Sequence, residues 1–340
     1  MKKKFNNILI IGGMGFIGSY IIKNIIKKKI SKKTVVIDNF SSNIDPLNFG
    51  FRDFRKKRFK KFMDLNEFVQ SKSKHVNIER VNVENYLATF KVIREYNPEI
   101  IIHLAALPIA KVKNISCEEF KRGSVDTTSN IIESINQCQQ DGRLKNFKRF
   151  VYVSSSMVYG DFVKNSAKET DNTNPKEPYG IMKLAGEVIT KGLCKFFKIP
   201  YTIIRPSAVY GPTDMNQRVS QYFILKALNN ETIEVHGKNE KLDFTYVEDI
   251  AEGIIKSFLT DKGANETFNI TFGKSRKILD YVKILQKYFK DITIKIKKRD
   301  SFRPKRGTLD ISKARKLLNF KPKYDLEKGI KEYIKFYKDK

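Results

Sequence analysis

The feature that most constrains this chain is a strand–turn–helix–strand unit near its start. Asn7 to Ile11 (NILII) is a continuous apolar run of strand length, and GGMGFIG follows it from Gly12 to Gly18. A helical pattern over Ser19 to Lys29 puts Ile21, Ile22, Ile25 and Ile26 on one face, and Thr34 to Asp38 (TVVID) reads as a second buried strand. Each part has a physical reason. Gly12 permits a tight turn, Gly15 lets backbone amides approach a pyrophosphate, and Gly18 lets helix and strand pack closely. Asp38 lies twenty residues after Gly18. It can accept hydrogen bonds from an adenosine ribose and would repel a 2′-phosphate, which favours NAD over NADP. A glycine-rich turn alone could be purely structural; the strand before it, the helix after it and the acid downstream favour the dinucleotide.

The rest of the first half repeats the alternation. Val76 to Val83 reads as a third strand, Tyr86 to Tyr96 as a helix stopped before Pro98, and Ile100 to Ala106 as a fourth strand. The small Ala105 and Ala106 would let a ligand lie against the backbone. A helix over Ser124 to Cys138 and a fifth strand over Phe147 to Val153 complete the pattern. This predicts an α/β fold, a Rossmann-type doubly wound parallel sheet with ligands at the carboxyl ends of its strands. A sixth strand, Tyr201 to Ile204, leads into RPSAVYGP (Arg205 to Pro212), and DFTYVEDIAEGII (Asp243 to Ile255) reads as a strand running into a helix. Thr267 to Ile270, Ile278 to Tyr288 and Ile292 to Ile296 suggest a smaller mixed region. The expected organisation is an NAD-binding domain over 1–200 and a mainly substrate-binding, mixed α/β domain over 201–340. Parts near 201–212 and 243–258 are expected to return to the first domain, and the second should roof a cleft.

Between the fifth and sixth strands lies the stretch that carries chemistry. SSSMVYG (Ser154 to Gly160) follows the apolar strand, and YGIMK (Tyr179 to Lys183) sets a Tyr and a Lys one helical turn apart. A phenol with a pKa near ~10 is a poor base at neutral pH, and an ammonium group on the same helix face favours its ionised form. A Ser at the strand end can hold the same substrate oxygen. Together they make a proton relay for an alcohol carbon, provided that a hydride acceptor lies nearby.

Composition narrows the partners. The formal net charge is +29, from 66 Lys and Arg against 37 Asp and Glu. Such an excess fits an anionic partner or simply solvated, lysine-rich faces; the lysines are spread throughout, which favours the second. Residues 41–74 read as an irregular insert. Within it, FRDFRKKRFKKF (Phe51 to Phe62) interleaves aromatic and basic residues. That suits nucleic acid or an anionic membrane, yet the near-helical spacing of its phenylalanines favours an amphipathic helix docked on the body. Cys117, Cys138 and Cys194 are odd in number and widely spaced, and His75, His103 and His236 are scattered. This argues against a disulfide framework or a metal and fits a reducing compartment. His103 reads as a core or strand-end histidine. The basic start leads into a first strand instead of a signal peptide, and no apolar run approaches the ~20 residues of a membrane span. These signs predict a soluble, cytoplasmic protein with no nucleic-acid partner.

GGMGFIG, DNFS, HLAA, SSSMVYG, YGIMK, RPSAVYGP, DFTYVEDIA and DISKARKLLNFKPKYDLEKGI occur in this order over nearly the whole chain. The chain thereby resembles the extended short-chain dehydrogenase/reductase family, in its NAD-dependent nucleotide-sugar epimerase and dehydratase branch. The resemblance implies that Tyr179 is the catalytic base and that Lys183 lowers its pKa and binds the nicotinamide ribose. Ser155, four residues before Tyr159, matches the catalytic Ser/Thr position. NAD is then held by Gly12, Gly15, Phe16, Ile17 and Gly18, with Asp38 and Asn39 at the ribose. Asn82 and Val83 fall at the adenine, where the family usually has Asp in place of Asn82. Leu104, Ala105, Ala106, Val153 and Pro206 join Tyr179 and Lys183 around the rest of the cofactor. On the substrate side the implied contacts are Ser155, Ser156 and Met157. The family commonly has Asn where this chain has Ala208, and Arg where it has Leu242; both contact the nucleotide diphosphate. Arg218, Arg303 and Arg306 are the available replacements, since Arg suits bidentate phosphate contacts.

All branches are expected to oxidise a hexose C4 hydroxyl. Dehydratases must also remove a C5 proton and release a C6 hydroxyl, which needs further acid and base groups. The resembling dehydratases carry an Asp–Glu pair where this chain has Ser156 and Met157, and the decarboxylases also place Glu at Met157. Met cannot move a proton. The expectation is therefore a homodimeric 4-epimerase, its dimer built from helices near residues 85–96 and 178–197. Its rivals are a 4-ketoreductase or other NAD(P)-dependent nucleotide-sugar oxidoreductase or dehydratase, and a non-catalytic nucleotide-binding protein; the intact Ser155, Tyr179 and Lys183 argue against the last. Precursor supply for surface polysaccharide is the family's usual setting.

Overall fold

The structure is a computed structural model that describes residues 5–40, 75–106, 116–214 and 218–338. The insert read at 41–74, including its basic stretch at 51–62, lies outside the described residues. Seven strands form the main sheet: β1 (Phe5–Ile11), β2 (Ser31–Ile37), β3 (Val76–Glu79), β4 (Ile100–His103), β5 (Arg149–Val153), β6 (Tyr201–Pro206) and β7 (Glu266–Ile270). Their order is β7-β6-β5-β4-β1-β2-β3. Every pairing is parallel, from Ile8 opposite Thr34 in β1–β2 to Phe268 opposite Ile204 in β7–β6. The order reverses between β1 and β4, and the crevice beside that point is where such sheets take ligands.

β4 and β5 are buried at every position, because helices cover both faces of the sheet. On one face Ile10, Val36, Ile102 and Val151 pack with α1 (Phe16–Lys27) and α6 (Val247–Leu259). On the other, Leu9, Val35, Ile101 and Phe150 pack with α2 (Tyr86–Tyr96), α3 (Thr127–Gln140) and α4 (Pro178–Phe196). Here α3 packs against both α2 and α4.

A second core is built on Tyr210, Phe223, Tyr281 and Tyr333. It gathers α5 (Val219–Leu228), α7 (Ile278–Gln286) and α9 (Leu326–Lys338), while α8 (Ser312–Leu318) packs with the first core. A parallel pair, Ile233–His236 with Ile294–Lys297, completes it. One expected strand is relocated. Thr267 to Ile270, read as part of the mixed region, is β7 at the edge of the main sheet. A short apolar run does not reveal its partner, and β6 offered an open edge. The third strand also stops at Glu79, before Val83.

Candidate active site

Gly12 leaves β1 at φ +76, and a Cβ there would sit 2.6 Å from the Ala105 amide nitrogen. The turn is therefore pressed against the exit of β4, and no side chain would fit between them. Gly15 caps α1, and a Cβ on Gly18 would lie 2.4 Å from the Gly13 carbonyl oxygen. At the end of β2 the Asp38 carboxylate accepts from the amides of Met14 (2.9 Å) and Phe40 (2.8 Å). These bonds aim it toward the glycine turn.

Beyond β5, Ser155 caps a short 3-10 turn, Ser156–Tyr159, and its hydroxyl accepts from the Met157 amide at 3.2 Å. The Ser156 hydroxyl is buried and has no hydrogen-bond partner among the described residues. Pro178, at the start of α4, has a φ already suited to the first turn. Tyr179 follows in that turn, and Lys183 lies one turn further on. The Lys183 ammonium donates to the Val153 carbonyl (2.7 Å) and lies over the Tyr152 ring.

One cavity of about 310 Å³ joins these groups. Its wall contains each residue that the sequence assigned to cofactor, substrate or catalysis, from the glycine turn through Ser155, Tyr179 and Lys183 to Arg218, Arg303 and Arg306. Ala208 and Leu242, which replace the usual Asn and Arg, line it too. His103 is not in the wall; it is buried between Phe150 and Tyr152, and burial pushes its pKa down to about 3.

The sequence profile described as "NAD dependent epimerase/dehydratase family" matches residues 8–271. The chain belongs to this family. Among solved structures, UDP-glucuronic acid 4-epimerase from Bacillus cereus, in complex with UDP-glucuronic acid and NAD, is 26% identical. The match covers 98% of this chain and 99% of that one, with a TM-score of 0.83. A dTDP-glucose 4,6-dehydratase of Salmonella typhimurium is likewise 26% identical, over 97% of this chain and 92% of its own length. The chain spans only 47% of a trifunctional UDP-glucose 4,6-dehydratase/3,5-epimerase/reductase of Arabidopsis thaliana, at 26% identity.

NAD is the cofactor of this family, and the residues present fit it. The side-chain-free cradle at Gly12, Gly15 and Gly18, beside an α1 with no acid in its first turn, suits a pyrophosphate. The oriented Asp38 suits a ribose. Among the described residues no group of three His, Cys, Asp or Glu could hold a metal.

The electrostatics differ from the simple Tyr–Lys picture in this family member. Burial raises the Tyr179 pKa, and the groups that oppose it are the Arg218 charge and the Ser155 hydroxyl. The Lys183 ammonium is drawn instead to the Val153 carbonyl. Burial lowers the Lys183 pKa to about 8, Glu187 pulling it up and Arg218 further down. Two acids escaped the sequence reading. Glu187 lies four residues beyond Lys183, fully buried, gripping Arg205 at 2.9 and 2.7 Å and accepting from the Ser154 hydroxyl at 2.6 Å. Glu177 stands in the cavity wall two residues before Tyr179. The repeat of Tyr179, Lys183 and Glu187 at four-residue spacing was the available signal for the first.

Proposed function

We propose that this chain is an NAD-dependent 4-epimerase of a nucleotide-diphosphate sugar, acting through a transient 4-keto sugar. The observation that carries the reading is the meeting of Ser155, Tyr179 and Lys183 in one cavity with Met157, where the resembling dehydratases have a Glu. What NAD supplies when bound is reversible acceptance of a hydride from an alcohol carbon. Tyr179, as phenolate, takes the proton of the C4 hydroxyl, and Ser155 holds that oxygen by a hydrogen bond. The positive charge of Arg218 and the Ser155 hydroxyl favour the phenolate. The ketone then turns within the cavity, and Tyr179 returns the proton to an oxygen presented on the other face. Ser156 and Met157 supply no second acid–base pair, so C5 keeps its proton. Arg218, Arg303 and Arg306 bind the diphosphate.

The same reading includes a homodimer through α4, whose Ile181 and Val188 are 44% and 63% exposed and lie two turns apart. It also includes a cytoplasmic location, supported by the three free thiols. Among the described residues no helix is long and apolar enough to cross a membrane.

The test is proton NMR in D₂O with UDP-, GDP-, CDP- and dTDP-sugars and no added cofactor. Appearance of the C4 epimer without deuterium uptake supports the reading. Deuterium at C5 with loss of water would make the chain a dehydratase, and turnover only of a 4-keto sugar with NAD(P)H would make it a ketoreductase. Tyr179→Phe should abolish turnover while retaining NAD; full activity in that variant would remove Tyr179 from the mechanism.

A further inference from the structure

Arg303 and Arg306 sit on a segment that must itself be held in place. Both line the cavity with Pro304, and Lys305 lies between Pro304 and Arg306. Toward one end of the segment, Arg299 donates to Glu240 at 2.7 Å and to the Arg303 carbonyl at 2.6 Å. Toward the other, Thr308 and Leu309 pair in parallel with Ser166 and Ala167. At the middle, the Lys305 amide donates to the Asp161 carboxylate at 2.7 Å, and the Lys305 carbonyl accepts from the Phe162 amide at 2.8 Å.

Asp161 stands where two other parts of the site meet. It directly follows Gly160, which ends the turn that Ser155 caps. A Cβ on Gly160 (φ +68) would overlap the Asn174 carbonyl oxygen, and one on Gly180 would lie 2.7 Å from the Met157 carbonyl oxygen. The Ser155 turn, the 174–175 stretch and the first turn of α4 are thus packed as one body. The other carboxylate oxygen of Asp161 pairs with Lys176, which precedes Glu177, the N-cap of α4, and lies three residues before Tyr179. Lys176 and the Lys305 amide hold the Asp161 carboxyl below the usual carboxylate range, so it is charged at neutral pH. The Asp161 and Lys176 side chains are 38% and 46% exposed, and a pair so open to water adds little to the stability of the whole protein. Its effect is local.

We propose that Asp161 is a positioning residue of this site, joining the segment that carries Arg303 and Arg306 to the body that carries Ser155 and Tyr179. A segment held only toward its ends can shift at its middle, and bidentate phosphate contacts depend on where the guanidinium plane lies. The inference rests on reading Arg303 and Arg306 as diphosphate ligands, whichever reaction follows.

The test is calorimetry on the NAD-loaded protein with UDP against UMP, and with the GDP, CDP and dTDP pairs. The gain in affinity from the second phosphate separates the work of the arginines from that of the base contacts. In the wild type it should be at least about tenfold for the preferred base. Asp161→Ala should cut that gain about fivefold, the scale of one charge-assisted hydrogen bond at a partly exposed site. NAD affinity should not change, and Tm should fall by no more than about 2 °C. Asp161→Asn keeps an oxygen for the Lys305 amide and should restore most of the gain. An undiminished gain in Asp161→Ala, an equal loss for mono- and diphosphate, or no rescue by Asp161→Asn would overturn this proposal alone. A wild type that binds no nucleoside diphosphate, or binds it no better than the monophosphate, would remove the diphosphate reading and the proposal with it.

Discussion

Lys183 depends for its charge on Glu187, one helical turn further along α4. Burial has already lowered the lysine to about 8, and Glu187 is the one acid opposing that shift. An ammonium group with that pKa loses its proton as pH rises through 8, so kcat/KM should fall on the alkaline side near that value. Glu187→Gln removes the opposing charge, and the falling limb in a pH–rate profile should move to lower pH. The same change leaves Arg205 buried without its counter-charge, and urea unfolding should show a loss of about 3 kcal/mol. A limb that stays in place would remove Lys183 as the titrating group. Tyr179 and Lys183 could be singled out from the sequence because their spacing puts them on one helix face, whereas Ser155 was told apart from its two neighbouring serines only by the family motif. Glu177 and Glu187 could not, because an acid acquires its meaning from what faces it: for Glu187 an arginine on β6, for Glu177 a cavity closed by residues more than a hundred positions downstream.

At the scale of elements, α4 must lie against β5 closely enough to reach the cavity. Gly186 makes this possible, since a Cβ there would sit 2.0 Å from the Tyr152 hydroxyl oxygen. Gly186→Ala should therefore push α4 off the sheet. Overpacking of this kind costs about 1–3 kcal/mol, and turnover should fall more than NAD affinity because Tyr179 moves with the helix. Thermal unfolding and NAD titration of the variant would check both; unchanged stability and turnover would show that the helix has room to spare. The central strands and their helices were legible in the sequence because a buried parallel strand reads as an unbroken apolar run, as in NILII and TVVID. The edge was not. β7 looks like any short apolar segment, and what makes it part of the sheet is the open edge of β6, some sixty residues earlier.

The whole molecule joins two cores through a buried acid. Asp243 accepts from the Thr271 hydroxyl (3.0 Å), the Gly273 amide (3.1 Å) and the Leu309 amide (3.1 Å). It ties the exit of β7 to the stretch that follows Arg303 and Arg306, so the segment carrying these two arginines is anchored to the main sheet. At this scale the proposed homodimer makes its own prediction. Val188→Glu places a charge on the exposed face of α4 and should shift sedimentation from dimer to monomer; an unchanged sedimentation coefficient would move the contact elsewhere.

The run of functions along α4 has a consequence for descent. Tyr179, Lys183 and Glu187 follow one another at four-residue spacing on one helix, with the proposed acid–base pair ahead of the acid that raises the lysine's pKa. Tyr179 and Lys183 are bound to their spacing by the helix itself, while the cap position is free of that constraint. A residue inserted between Tyr179 and Lys183 would turn the lysine about 100° around the helix and separate the pair, whereas one inserted ahead of the helix would carry both along together.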